Sequence, residues 1–214
     1  MITCHKGVRQ GENLSPLLFA LYLNDVEAFM STNNCEGISL EPTNITDAVK
    51  LFLLLYADDT VLLANSPTGL QQCLDMFNQY CQSWKLSINI SKTKAVIFGS
   101  GYQRNRLNFH LGDLNVPISD SYTYLGIKFH KNRQFNYAMR SLKQQSLKAM
   151  FLILNKSRNC HIPLDCQFIA FDHMVIPILL YGSEVWGHSN TTILESVHQI
   201  ICCMEKQEEC LLKF

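Results

Sequence analysis

The sequence predicts an α+β chain, with a mixed helix-and-strand part running to about Phe129 and an all-helical part after it. Up to residue 129, short apolar, β-compatible runs alternate with turn residues. Two longer stretches of that part have the 3.6-residue apolar spacing of helices, and after Asn132 only the helical period remains. With 214 residues, 47% of them apolar, the chain can build one large domain or two small ones, and wholesale disorder is excluded.

Ser15 in a capping position and Pro16 in a first turn open a helix expected over about Pro16 to Met30, with Leu17, Leu18, Leu21, Tyr22 and Phe29 on a broad apolar face. Ser31–Asn34 is a polar break. Val49–Tyr56 and Thr60–Ala64 are apolar runs on either side of Ala57-Asp58-Asp59, the pattern of a buried hairpin with two carboxylates at its tip. Ser66-Pro67 starts a second helix, in which Leu70, Cys73, Leu74, Phe77, Cys81 and Trp84 form one stripe. Strands are then expected at Lys94–Phe98, Leu107–Leu111, Val116–Ile118 and Tyr122–Phe129, punctuated by Gly99-Ser100-Gly101, Gly112-Asp113 and Ser119-Asp120. Three helices follow: about Gln134 to Lys156, about Pro163 to Tyr181 with Pro177 as a kink or stop, and about Thr191 to Glu205.

The 18 basic and 18 acidic residues cancel overall, but they are segregated along the chain. Met1 to Trp84 holds three Lys and Arg against nine acids, Lys85 to Arg158 holds thirteen against two, and Asn159 to Phe214 holds two against seven. A basic middle of this kind points to an anionic partner there, because electrostatic attraction and counterion release act locally; the alternative is an unevenly charged solvated face. The nine cysteines include no C-x-x-C pair, so no zinc site is legible. A reducing intracellular setting, cytoplasm and/or nucleus, is the expectation. The apolar runs Leu17–Leu23, Leu51–Tyr56 and Val175–Tyr181 fall far short of the roughly 20 residues of a membrane span, and no targeting segment is read.

Adjacent aspartates resist simultaneous ionisation unless a cation offsets the repulsion. Mg²⁺ is typically held by one or two carboxylates plus substrate phosphates, and a pair of such ions clamps both oxygens of an in-line phosphoryl displacement. On the dipeptide alone an exposed turn is the better reading, since Asp favours turns. The surrounding string changes this. Leu53-Leu54-Leu55-Tyr56-Ala57-Asp58-Asp59-Thr60-Val61-Leu62-Leu63 resembles the catalytic hairpin of reverse transcriptases, a Tyr-x-Asp-Asp motif between apolar strands. Upstream, Gly7 to Phe19 (Gly-Val-Arg-Gln-Gly-Glu-Asn-Leu-Ser-Pro-Leu-Leu-Phe) resembles the family's loop and helix that contact template and nucleotide. Downstream, Leu86–Phe98 resembles the next palm element, and Tyr122-Thr123-Tyr124-Leu125-Gly126 the hairpin that grips the primer. The form is closest to the non-LTR, LINE-like retrotransposon polymerases, and Ile178–Trp186 resembles a segment that follows the palm in those elements.

The resemblance implies a partial polymerase palm, a mixed or antiparallel sheet with helices over residues 1–130, then a helical thumb-like region with a divergent tail over residues 131–214. It implies Mg²⁺ (or Mn²⁺) on Asp58 and Asp59, with Asp58 the essential ligand. It further implies Lys92 near the nucleotide phosphates, and Arg9, Gln10, Gly11 and Tyr56 at nucleotide and template. Leu125 and Gly126 would form the primer grip. Lys6 has the same implied phosphate role as Arg9; for both, the alternative is an ordinary surface cation. Arg133, Arg140, Lys143 and Lys148 would contact nucleic-acid backbone, with Lys156 and Arg158 on or beside the same helix. The implied partners are an RNA template, a DNA primer and deoxynucleoside triphosphates, with no membrane. Tyr80, Trp84, Tyr122 and Tyr124 could stack on bases, but their periodic spacing favours the core. The family's third carboxylate comes from a strand upstream of the Gln10-Gly11 loop, which here begins a few residues after Met1. The expectation is therefore a chain that does not polymerise alone, completed by a second chain or by further coding sequence. Its alternative is a non-enzymatic retroelement remnant that binds nucleic acid.

Overall fold

Two short helices, not one, begin the computed structural model, which describes residues 11–40, 49–51, 53–99, 107–189, 192–197 and 199. α1 spans Ser15–Tyr22 and α2 spans Val26–Thr32. Asn24 and Asp25, residues of low helix propensity, break the single helix expected over about Pro16 to Met30, and Asp25 stands at the N-cap of α2 with its carboxylate turned to the Tyr80 hydroxyl rather than to the helix backbone. Ser15 does not cap α1; Leu14 holds that position and Ser15 is the buried first residue, with Pro16 in the first turn as expected. The expected apolar face is not buried either: Leu17, Leu18 and Leu21 are 57%, 50% and 63% exposed, and burial falls on Leu23, Val26 and Met30.

The chain divides into two units, Met1–Ala95 with Gln103–Ile118 and Val96–Tyr102 with Ser119–Phe214. In the first, β1 (Ile38–Leu40) pairs antiparallel with β2 (Val49–Leu51), so Val49–Leu51 belongs to a different ribbon from the expected hairpin. That hairpin is β3 (Leu53–Tyr56) with β4 (Asp59–Leu62), Leu53 opposite Leu62 and Tyr56 opposite Asp59. It is largely exposed, with Leu54 37%, Leu55 40% and Tyr56 62% accessible, because among the described residues every sheet has two strands and no third strand covers this one. Leu53 and Leu62, at its base, pack on the core.

α3 (Pro67–Ser83) starts as expected: the Ser66 hydroxyl accepts a hydrogen bond from the Gly69 N–H at 3.0 Å and donates to Glu36. Its inward face packs Cys73, Tyr80 and Cys81 against Leu23, Val26, Met30 and Cys35. Lys94–Phe98 is not a strand. Ala95 makes a lone parallel bridge to Ile118, with its N–H on the Pro117 carbonyl at 3.0 Å, and Pro117 has no N–H with which to extend a ladder. β5 (Phe109–Leu111) and β6 (Leu114–Val116) form a hairpin about Gly112 and Asp113, two residues earlier than the expected Val116–Ile118.

In the second unit the single strand that composition predicts at Tyr122–Phe129 is instead a hairpin, as the resemblance implied for Tyr122–Gly126: β7 (Ser121–Tyr124) and β8 (Ile127–His130). Leu125 and Gly126 reverse the chain with φ of 47° and 79°. α4 (Asn136–Cys160) turns Met139, Leu142, Ser146 and Met150 inward at helical spacing. The helix expected from about Pro163 to Tyr181 is divided into α5 (Leu164–Met174) and α6 (Ile176–Leu179), because Pro177 cannot donate to the carbonyl one turn back. α7 (Ser183–Trp186) and a helical stretch at 192–197 follow; the rest of the helix expected to about Glu205 lies mostly outside the described residues. Phe171, Val175, Leu179, Trp186, Leu194 and Val197 complete this core. Among the described residues no helix is long and apolar enough to cross a membrane.

Candidate functional site

At the tip of the β3–β4 hairpin, Ala57 and Asp58 form a two-residue loop between the paired Tyr56 and Asp59. Ala57 sits at φ 52°, a left-handed conformation that an L side chain adopts at a cost, so the acidic tip is a strained turn. Asp58 and Asp59 are both exposed, and neither side chain is hydrogen-bonded or ion-paired to another described residue. Two neighbouring carboxylates with uncommitted oxygens match a hard divalent cation that keeps several waters and takes further oxygens from a substrate. Among the described residues no cluster of three or more His, Cys, Asp and Glu side chains forms a closed metal cage. The pair is therefore chemically suited to Mg²⁺ or Mn²⁺ as a partial ligand set. Asp25, also on the acidic side of the chain, is committed elsewhere and accepts the Tyr80 hydroxyl at 2.6 Å.

Lys92 is exposed on a separate turn of the same unit, organised by Asn89. The Asn89 carbonyl accepts the Lys92 N–H at 3.1 Å and the Thr93 hydroxyl at 2.9 Å, while the Asn89 side chain accepts the Ser91 hydroxyl at 2.7 Å. Sequence reasoning singled out Lys92 and missed Asn89; an Asn two residues before a Ser is the available signal for such a turn. Gly11 is exposed with φ 92°, a conformation that calls for glycine. Lys6, Arg9 and Gln10 lie outside the described residues.

The basic residues of the second unit gather on α4, which carries Arg140, Lys143, Lys148, Lys156 and Arg158 and no acid. Arg140, Lys148, Lys156 and Arg158 are exposed, Lys143 is half-buried, and Arg133 is exposed in the preceding loop. Between residues 114 and 164 the only acid in the sequence is Asp120, and it pairs with Lys131 at 2.6 Å. The cations of α4 therefore have no acid on their own helix to compete for them. Leu125 and Gly126 form the turn of the β7–β8 hairpin. Of the four aromatics considered for stacking, Tyr80 is buried in the core, while Trp84, Tyr122 and Tyr124 are half-buried. A pair not singled out from the sequence, His130 and Tyr137, stacks at a centroid distance of 3.9 Å. Only the fold brings the end of β8 beside the start of α4, so no local pattern announces it.

The profile of the family described as reverse transcriptase (RNA-dependent DNA polymerase) matches residues 2–129. Among curated proteins, the RNA-directed DNA polymerase from mobile element jockey of Drosophila melanogaster is 28% identical over 195 residues, covering 85% of this chain and 19% of that protein. The probable RNA-directed DNA polymerase from transposon BS of the same species is 27% identical, covering 85% of this chain and 20% of its own length. A putative uncharacterized transposon-derived protein of Caenorhabditis elegans is 32% identical, covering 72% of this chain and 55% of its own. The chain thus spans about a fifth of the length of the first two relatives. No solved structure matches it. The Tyr-Ala-Asp-Asp hairpin lies within the matched segment, and the chain belongs to the reverse transcriptase (RNA-dependent DNA polymerase) family, of the kind carried by non-LTR retrotransposons.

Proposed function

We propose that these 214 residues form part of an RNA-directed DNA polymerase: the second half of a palm over residues 1–130 and a thumb-like helical region over residues 131–214. The observation that carries this reading is the pair of exposed, uncommitted carboxylates, Asp58 and Asp59, on a strained hairpin tip inside the family-matched segment. The substrates are an RNA template, a DNA primer and deoxynucleoside triphosphates.

Asp58 and Asp59 hold the cation, and Asp58 is the ligand whose loss is most severe. Mg²⁺ or Mn²⁺ held there, as one or both ions of a two-metal centre, would supply positive charge that eases loss of the primer 3′-hydroxyl proton to solvent and offsets charge building on the α-phosphate. The primer oxygen bonds to the α-phosphorus, the bond from that phosphorus to the bridging oxygen breaks, and pyrophosphate leaves. Lys92 offsets the leaving charge and delivers a proton to it. Arg9 and Tyr56 contact the nucleotide, and Gln10 and Gly11 lie along the nascent base pair, where glycine permits close approach of backbone. The Leu125–Gly126 turn holds the primer end, and Arg133, Arg140, Lys143 and Lys148 contact phosphates without reading bases.

Among the described residues two carboxylates reach the tip, and on this reading the 214 residues alone bind primed template without extending it. The acid-free face of α4 supports a second reading, a retroelement remnant that retains nucleic-acid binding alone. The test is Mg²⁺-dependent primer extension on a primed RNA template, with Asp58→Asn alongside and duplex binding measured in parallel. Binding without extension, unchanged by Asp58→Asn, is expected. Extension abolished by Asp58→Asn would overturn the inactivity of the segment and uphold its chemistry, whereas failure to bind would overturn the nucleic-acid interface.

A further inference from the structure

The segment Ile178–Trp186, singled out in the sequence but given no part in the chemistry above, touches the hairpin read as the primer grip. We propose that Tyr181, backed by Gly182 and Trp186, is a positioning residue that locks the Leu125–Gly126 turn in the conformation that holds the primer end. The proposal rests on the reading of that turn as a primer contact.

The turn needs a lock. Both of its residues have positive φ, 47° at Leu125 and 79° at Gly126, as a two-residue hairpin loop of the favoured hand requires. Glycine occupies such a position without strain. Leucine does not, and a residue held there persists where its surroundings over-determine it. The surroundings here are Tyr181, whose hydroxyl donates to the Leu125 carbonyl at 2.8 Å. Its ring lies so close to the next residue that a Cβ on Gly126 would stand 2.9 Å from Cε1 and 3.4 Å from Cζ. The contact is repeated in reverse one residue on, where a Cβ on Gly182 would stand 2.4 Å from Cδ1 of Ile127. Gly126 and Gly182 are thus the two places where hairpin and helical segment meet closely, and each has the positive φ that makes glycine the fitting residue.

Tyr181 is in turn anchored from the core. Trp186 is 2% exposed, packs with Met139, Phe171 and Leu179, and donates its indole N–H to the Tyr181 carbonyl at 2.9 Å. A continuous path of contacts therefore runs from the helical core through Trp186 and Tyr181 to the carbonyl of Leu125, a residue held at positive φ in the turn. For a reaction between a primer oxygen and a phosphate, displacement of the gripping turn by an ångström is enough to matter.

The experiment binds the 214-residue chain to a primed template whose terminal primer nucleotide is a photoactivatable thiothymidine, then maps crosslinks after irradiation. Wild type is expected to crosslink within residues 121–130. Tyr181→Phe keeps the ring against Gly126 and removes only the hydroxyl; at unchanged melting temperature and duplex affinity it should lower crosslinking per bound duplex roughly tenfold. Tyr181→Leu, which removes hydroxyl and ring together, should do the same, giving a second route if Tyr181→Phe folds poorly. Arg140→Gln should weaken affinity and leave crosslinking per bound duplex unchanged. Full crosslinking in a folded Tyr181→Phe chain would overturn the positioning role while leaving the primer grip standing. Wild-type crosslinks that avoid residues 121–130 would overturn the primer grip itself, and this proposal with it.

Discussion

Ala57 shows how a single residue encodes more than its side chain. Its φ of 52° places a methyl-bearing residue where glycine is at ease, next to the two carboxylates of the hairpin tip. Ala57→Gly should raise stability by up to about 1 kcal/mol in urea denaturation, because the relieved strain exceeds the added freedom of the unfolded chain. The Asp58-Asp59 pair was legible in the sequence from its neighbours; the strain beside it was not, because a dihedral angle is set by the pairing of Tyr56 with Asp59 across the loop. Tyr80 and Cys81 make a second residue-level case. Burial pushes the Cys81 thiol up from 9.0 to about 11. Burial, with the hydrogen bond and charge of Asp25, pushes the Tyr80 phenol well above its ordinary 10.0. Both groups are held neutral in the folded chain, so their contribution is fully present below the unfolded values and is lost as pH rises through the folded ones. Melting temperature should therefore be unaffected by these two groups up to about pH 9 and fall as pH approaches about 11, with a smaller fall in Cys81→Ala.

Elements were legible wherever local chemistry sets their ends. The Ser66-Pro67 start of α3 was read directly, and the Ser66 cap is present. Ser66→Ala should cost about 1 kcal/mol, read from the chemical denaturation midpoint. Elements were misread where a neighbour decides. Lys94–Phe98 has strand composition, but its partner segment contains Pro117 and supports a single bridge. By composition the run from Tyr122 to Phe129 is one strand, whereas the resemblance implied a hairpin turning at Leu125 and Gly126; the hairpin is present, and Tyr181 braces its turn from 56 residues away. α4 is the element on which the binding prediction turns, because its cations share it with no acid. Arg140→Gln and Lys148→Gln should each reduce the slope of log affinity against log salt by about 1. Gln144→Ala, a neutral change on the same helix, should leave that slope unchanged and serves as the control.

For the whole molecule, the segregated charge of the sequence becomes a functional expectation. A primed duplex held through Arg133, Arg140, Lys143 and Lys148 should lose roughly a hundredfold in affinity between about 50 mM and about 200 mM salt, by release of about four counterions. Two primed templates of equal length and unrelated sequence should bind equally, since phosphate contacts carry no sequence information. Fluorescence anisotropy titrations check both. A marked preference between the two templates would place base-reading residues in the interface and change the account of α4.

The family, the order of its motifs along the chain and the α+β class were present in the sequence alone, because each motif is a contiguous string that can be read without knowing what packs against it. The Asp58-Asp59 tip, the Lys92 turn and the basic run ahead of Asp165 are of this kind. Tertiary structure decided which apolar surfaces are covered. Leu17, Leu18 and Leu21 look like core and are exposed, while Tyr80 is buried on a hydrogen bond to Asp25. It also decided how the β7–β8 turn is held, through a tyrosine and two glycines distant in sequence. Burial and bracing depend on what packs from elsewhere in the chain, and neither periodicity nor composition records the identity of that neighbour.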